Sequence, residues 1–267
     1  MNSVILSAAS CTNVGRRRAS NEDAVLASRP VFMVADGMGG HEAGGRASSI
    51  AVQEMSRLNP SPSIEDVGAA LARARRSIDQ IHSGGPQRAA GTTVSGVVLV
   101  EQAGRPYWLV INLGDSRTYL VVNGQLHQVS VDHSEAQELI EAGRLDRGIA
   151  GDYARRHVLT RVLGAQTRER PDYWLIPVLA SQRWMICSDG VSEELDDARI
   201  AQILTGEPSP QGAADSLVAA ALDAGGRDNI SVVVVDVESG GPQGDDETVE
   251  EIIALRPARL SNHRVAP

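Results

Sequence analysis

VFMVADGMGGHEAGG, residues 31–45, begins as an apolar run and turns into a loop with a carboxylate at its start, Asp36, and five glycines and a histidine after it. Val31 to Ala35 is the kind of segment that packs as a strand. Asp36 therefore stands at a strand end, where an ionised carboxylate without compensation is costly. Gly37 lets the backbone come close enough to offer a carbonyl, and Gly39 and Gly40 keep the floor of a cleft open.

The same arrangement recurs outward from this stretch. Glu22-Asp23 in SNEDAV, Asp115 in INLGDSR, Asp189 in ICSDGV and Asp228 in GGRDNISV each end a strand-like run or open a loop. One Asp beside Gly is an ordinary turn residue. Five such sites together point instead to carboxylates brought from distant segments to hold hard divalent cations, Mg²⁺ or Mn²⁺, for which oxygen ligands are suited. No His or Cys spacing suggests zinc. Two such ions can acidify a bridging water into a nucleophile. The loop GRRRASNED, residues 15–23, adds Arg16, Arg17 and Arg18, any of which has the fork geometry to grip phosphate oxygens beside Glu22 and Asp23.

The hydrophobic pattern supplies a frame for these sites. SVILSAASC and AVLASRPVFMVAD read as strands separated by the charged loop. A helix is expected from Glu42 to about Leu58, and a second after Ser63, which with Asp66 makes a capping box ahead of Ile64, Val67, Leu71, Ala74, Ile78 and Ile81. The period then shortens. TTVSGVVLV, PYWLVINLGDS and RTYLVVNGQLHQVS read as strands, with a hairpin turn at Asn123-Gly124. SEAQELIEAG reads as a short helix closed by Gly143, residues 144–157 as a loop or flap, and HVLTRVLG, YWLIPVL and RWMICSDG as strands. DARIAQILTG and SPQGAADSLVAAALDAGG read as helices, and NISVVVVDVE as the closing strand. Helix pairs flanking a long series of strands predict an α+β, four-layer αββα sandwich with two mostly antiparallel sheets.

The 267 residues, 42% hydrophobic and 22% charged, suit one main domain, expected over residues 1–238, with a flexible polar tail over 239–267. A net charge of −9 argues against nucleic acid as a partner. No run reaches the roughly 20 apolar residues of a membrane span, and the start lacks a signal-peptide pattern. All 25 basic side chains are arginine, which excludes lysine-dependent chemistry. Cys11 and Cys187 sit in strands and are expected as reduced thiols of a cytoplasmic protein.

Taken together, GxxRxxNED at 15–23, ADGMGGH at 35–41, GTT at 91–93, NLGDSR at 112–117, DHS at 132–134, CSDGV at 187–191 and RDNISVVV at 227–234 resemble the metal-dependent serine/threonine protein phosphatases of type 2C, in their compact bacterial form. The motifs occur in family order across residues 8–237. The resemblance implies hydrolysis of phosphoserine and phosphothreonine on proteins by a metal-bridging hydroxide, with two or three Mn²⁺ or Mg²⁺ ions. It also implies a serine/threonine kinase as the counterpart; a monomer is expected. By position, Asp36 resembles the bridging ligand, Gly37 the carbonyl ligand, Asp189 and Asp228 the other direct ligands, and Glu22 and Asp23 the outer acids. Asp115 matches the residue that, with Asp189, holds a third ion, and Arg18 the phosphate-binding arginine, which leaves Arg16 and Arg17 as surface residues. Met38 stands where members with DGHGG carry histidine, so the proton donor is open, with His41 nearby. A catalytically silent binding module is the competing expectation. Thr248, in the acidic DDETVEE, is a further candidate as a phosphorylation site.

Overall fold

A computed structural model describes residues 4–39, 42–81, 89–167 and 169–240. Gly40, His41, the 241–267 part of the expected tail and Thr248 lie outside the described residues.

Two antiparallel sheets face each other. One has the order β1-β12-β11-β7-β8, formed by β1 (Ile5–Asn13), β12 (Ile230–Ser239), β11 (Arg183–Cys187), β7 (Arg117–Val122) and β8 (Gln125–Gln128). The other runs β10-β6-β5-β3-β4-β9, from β10 (Asp172–Pro177), β6 (Arg105–Leu113), β5 (Val94–Gln102), β3 (Val31–Met38), β4 (Gly91–Thr92) and β9 (Leu163–Gly164), with β2 (Asp23–Ser28) also paired to β3. The helices lie outside: α1 (Glu42–Ser56) and α2 (Ile64–Ile78) on the second sheet, α5 (Asp197–Gly206) and α6 (Pro210–Ala224) on the first.

Three apolar layers hold this stack together. Met33, Ala35, Leu109 and Ile111 meet Ala47, Met55, Leu71 and Ile78 of the α1–α2 pair. Phe32, Val97, Trp108 and Val110 meet Leu120, Trp184, Ile186 and Val233 between the sheets. Tyr119, Met185 and Val234 meet Ile200, Leu204, Leu217 and Ala221 beneath α5 and α6. Strands with both faces covered read as continuous apolar runs, which is why β12 carries Val232, Val233, Val234 and Val235 in succession. Trp108 and Trp184 pack edge to face across the sheets at 6.0 Å. This is the expected αββα sandwich.

Several local signals take the form the sequence predicts. Ser63 and Asp66 make the reciprocal capping box. Asn123 and Gly124 both adopt positive φ, at 50° and 74°, in the β7–β8 turn. Gly143 lies just past α3 (Glu135–Glu141).

Others differ. The run AVLASRPVFMVAD is two strands, β2 and β3, which turn at Arg29 and Pro30 and pair with each other. HVLTRVLG contributes only Leu163–Gly164 as a strand, because its first half bonds elsewhere: Glu135 N–H donates to Val158 O and Thr160 N–H to His133 O, each at 2.9 Å. Residues 188–192 do not simply continue β11. They turn into a single helical turn, α4 (Asp189–Ser192). Within the flap, Arg147–Asp152 is a 3-10 helix. Cys187 is fully buried, whereas Cys11 is half-buried.

The site-bearing loops meet by backbone contact. A Cβ on Gly190 would stand 2.0 Å from the Asn229 carbonyl oxygen, and one on Gly37 would stand 2.2 Å from that of Gly44. Gly190→Ala is therefore expected to cost on the order of 3 kcal/mol, because neither partner is a side chain that can swing away. Thermal unfolding of the variant checks this, and an unchanged midpoint would contradict it.

Candidate active site and metal centre

The sheet ends that carry Asp36, Asp189 and Asp228 open into one cleft of about 900 Å³. Its walls include Arg18, Glu22, Asp36, Gly37, Asp115, Asp189 and Asp228, so seven of the eight predicted site residues share it. The eighth, Asp23, lies just behind. It pairs directly with Asp36 across the β2–β3 ladder, and its Oδ2 accepts from Ser188 Oγ at 2.8 Å.

Each acid is fixed by a neighbour. Asp36 N–H donates to Thr93 Oγ1 at 2.9 Å, while Asp36 O accepts from Thr93 N–H and from Thr92 Oγ1. Glu22 is set by its backbone: its N–H donates to Asn229 Oδ1 at 2.9 Å, and its carbonyl accepts from Gly37 N–H and Ser48 Oγ. Asn229 Nδ2 also donates to Val14 O and Ser20 O, so one amide pins the loop that carries Arg18 to the loop that carries Asp228. Asp189 opens α4, and Asp115 sits in the turn between β6 and β7.

So many acids at close quarters resist ionisation. Burial pushes Asp23 up to about 6 and Asp115 up to about 7, with repulsion from Asp228 and from Asp132 adding to it. Asp36 and Asp189 are raised further, first by burial and then by neighbouring carboxylates: Asp23 and Asp189 around Asp36, Asp115 and Glu193 around Asp189. Among the described residues, Oδ1 of Asp23 and Oδ1 of Asp189 are buried without a hydrogen-bond partner. Orphaned acceptor oxygens in a crowd of like charge fit the donor set of a hard divalent cation. The fit is that of a basin of oxygens rather than a finished cage, for among the described residues no three acidic, His or Cys side chains already meet at one coordination point.

The three arginines separate. Arg18 Nη2 donates to Asp228 Oδ2 at 2.5 Å, at the cleft. Arg16 faces outward, donating from Nε to Leu222 O at 2.9 Å at the end of α6. Arg17 is exposed, as expected of a surface residue, but it stands on the cleft wall.

A family model described as Protein phosphatase 2C matches residues 14–222. The chain belongs to the protein phosphatase 2C family. It is 31% identical over 279 residues to the serine/threonine protein phosphatase PstP of Mycobacterium tuberculosis, an alignment that spans 98% of this chain and 53% of that one. The chain thus spans about half the length of that curated relative. It is 30% identical over 239 residues to the serine/threonine phosphatase stp of Listeria innocua, covering 84% of this chain and 93% of that protein. Among solved structures, the catalytic domain of PstP in complex with two manganese ions superposes with a TM-score of 0.79 at 30% identity, covering 89% of this chain and 100% of that one.

Within this phosphatase 2C frame, sequence reasoning passed over four residues of the cleft. Asn229 and Thr93 lie inside the quoted motifs RDNISVVV and GTT, but only the fold shows what their side chains hold. His157 and Glu193 lie outside every motif and meet across the cleft mouth, Nδ1 to Oε1 at 2.5 Å. No spacing in the sequence could have joined them. Among the described residues, no helix is long and apolar enough to cross a membrane.

Proposed function

We propose that this phosphatase 2C chain hydrolyses phosphoserine and phosphothreonine monoesters on proteins, using two or three Mn²⁺ or Mg²⁺ ions, and so reverses a serine/threonine kinase of the same cell. The observation that carries this reading is the charge of the cleft. Glu22, Asp36, Asp115, Asp189, Glu193 and Asp228 line it against Arg17 and Arg18, so a phosphate dianion is repelled unless cations enter first. The manganese-bound PstP relative supports the same choice of ion.

Asp36, Asp189, Asp228 and the Gly37 carbonyl would hold the ions directly, Glu22 and Asp23 from farther out, and Asp115 with Asp189 a further one. Bound there, the ions would supply an acidified water as nucleophile and offset the charge of the phosphate. The chain's own residues do the rest. Arg18 exchanges Asp228 for two phosphate oxygens and orients the ester. Thr93 and Asn229 keep Asp36 and the Glu22 loop in register while this happens. Retention of Asp36, Asp189 and Asp228 together favours this reading over a silent binding module.

The test is phosphate release from a phosphothreonine peptide with and without Mn²⁺, together with calorimetric titration of Mn²⁺. An inert protein that binds no divalent ion would transfer the case to the binding module. Within an active enzyme, Arg18→Ala is expected to lower kcat/KM for the peptide about 10- to 100-fold, the worth of a charge-assisted contact, mostly through KM. Steady-state kinetics read it, and an unaltered KM would remove Arg18 from the phosphate site.

A further inference from the structure

A seryl or threonyl oxygen leaves phosphorus as a strongly basic alkoxide, so its departure is eased by a proton delivered as the bond breaks. The Met38 thioether at the cleft has no proton to give. The other ionisable groups lining the described part of the cleft are the six carboxylates, two guanidiniums that stay charged, and His157. His157 arrives from the flap, not from the sheet ends. Its Nδ1 lies 2.5 Å from Glu193 Oε1, an ion-pair contact when the ring is charged, and no partner of Nε2 is found among the described residues.

Both halves of this pair are anchored. Glu193 N–H donates to Asp189 O at 2.8 Å, one turn along α4, which ties the carboxylate to the acid cluster. The flap is fastened to α3 by Arg155 to Glu135 at 2.7 Å, by Tyr153 Oη donating to Glu135 Oε1 at 2.6 Å, and by the Glu135 N–H bond to Val158 O. His157 and Glu193 also line a second cavity of about 420 Å³, together with Asp115, Asp132 and Asp189 and with Arg117, Arg156 and Arg227. Arg117 is occupied by Asp132, and Arg227 by Glu194. Sharing the two cavities with the imidazole are thus the carboxylates Glu193, Asp189 and Asp115, with Glu22, Asp36 and Asp228 across the cleft, and the guanidiniums Arg156 and Arg17, with Arg18 held by Asp228. The side chain is partly open to solvent, at 45%, so a proton it gives away is readily replaced.

We propose that His157, oriented by Glu193, is the general acid of this phosphatase, taking the role that Met38 leaves unfilled. The inference rests on the phosphatase reading above. In the step, the nucleophilic water, having given one proton to solvent, forms the new bond to phosphorus through its oxygen. The bond from phosphorus to the seryl or threonyl oxygen breaks with its electron pair going to that oxygen. The proton on Nε2 of the His157 imidazolium moves onto the same oxygen, leaving a neutral ring with its Nδ1 beside Glu193.

The experiment compares two substrates in the Mn²⁺-loaded full chain: a phosphothreonine peptide, whose leaving group needs a proton, and p-nitrophenyl phosphate, whose leaving group does not. His157→Ala is expected to lower kcat about 100-fold on the peptide and several-fold at most on the aryl ester. Imidazole in the buffer should restore part of the peptide activity. Glu193→Gln, which keeps the shape of the partner, should give a smaller loss with the same substrate dependence and guards against misfolding of the first variant. Equal losses on both substrates, no loss on either, or a leaving-group-dependent loss in His41→Ala instead would overturn the assignment. A wild type inert on both substrates would remove the phosphatase reading itself, and the donor with it.

Discussion

Replacing Asp189 by alanine is expected to remove metal-dependent hydrolysis by about 1000-fold or more in kcat/KM, which corresponds to about 4 kcal/mol of transition-state stabilisation. Asp189, like Asp36, is raised first by burial and then by four neighbouring carboxylates, here Asp115, Glu193, Asp228 and Asp23, and its buried Oδ1 has no hydrogen-bond partner among the described residues. Such a group destabilises the metal-free protein and is retained for what it binds. Two measurements should therefore move in opposite directions. Mn²⁺ affinity and phosphate release should collapse in Asp189→Ala, while the thermal midpoint of the metal-free variant should hold or rise. Asp36→Asn should behave alike, since it removes the other strongly perturbed charge at nearly constant volume. Peptide hydrolysis within tenfold of wild type in Asp189→Ala would refute its place in the metal centre.

The second large effect is on stability against pH in the metal-free protein. Asp23 and Asp115 release their protons near 6 and near 7 when folded, against an ordinary 3.8 when unfolded. Below about 4 both states hold these protons and there is no penalty. Above that, the unfolded chain has shed protons that the folded one still keeps, so stability falls as pH rises and levels off only above about 7. The combined cost is on the order of several kcal/mol. Asp172 and Glu194 act in the opposite sense. At Asp172 burial is outweighed by the bond to His133 and by Arg161, and at Glu194 the bond from Arg227 dominates; both are held low and stabilise until the pH falls. Comparing melts with and without Mn²⁺ between pH 5 and 8 isolates the cluster from them. Saturating Mn²⁺ is expected to raise stability by about 4 kcal/mol at 1000 times its dissociation constant, or roughly 10 °C, with the gain largest at pH 8. A metal-induced gain that shrinks as pH rises would contradict the argument.

The acids themselves were legible in the sequence because each breaks a local rule: a charge where an apolar strand ends. Seven of the eight predicted residues line one cleft, and the eighth packs behind Asp36. The capping box at Ser63 and the turn at Asn123-Gly124 were equally readable, since each is a contact within four residues. What stayed hidden depends on distant partners. Strand order follows from which apolar faces meet, and β1 pairs with β12 across more than 200 residues of chain, which no periodicity encodes. HVLTRVLG has a strand-like composition, yet its first residues find their partners in His133 and Glu135. The turn at Asp189 was missed because four helical residues are too few to show a period. Asn229 could be seen only as part of a motif, for its bonds reach Val14, Ser20 and Glu22.

The β1–β12 ladder has one more consequence. Asn13 and Ile230 meet at the cleft end of that pair, whereas Ile5 and Ser239 meet at the other, about nine residues or roughly 30 Å away. Within the described residues, the outer ends of β1 and β12 thus meet far from the chemistry. A circular permutant of residues 5–239, with a short linker joining Ser239 to Ile5 and new ends cut at the exposed turn around Gly104 between β5 and β6, is expected to leave every site-bearing loop intact.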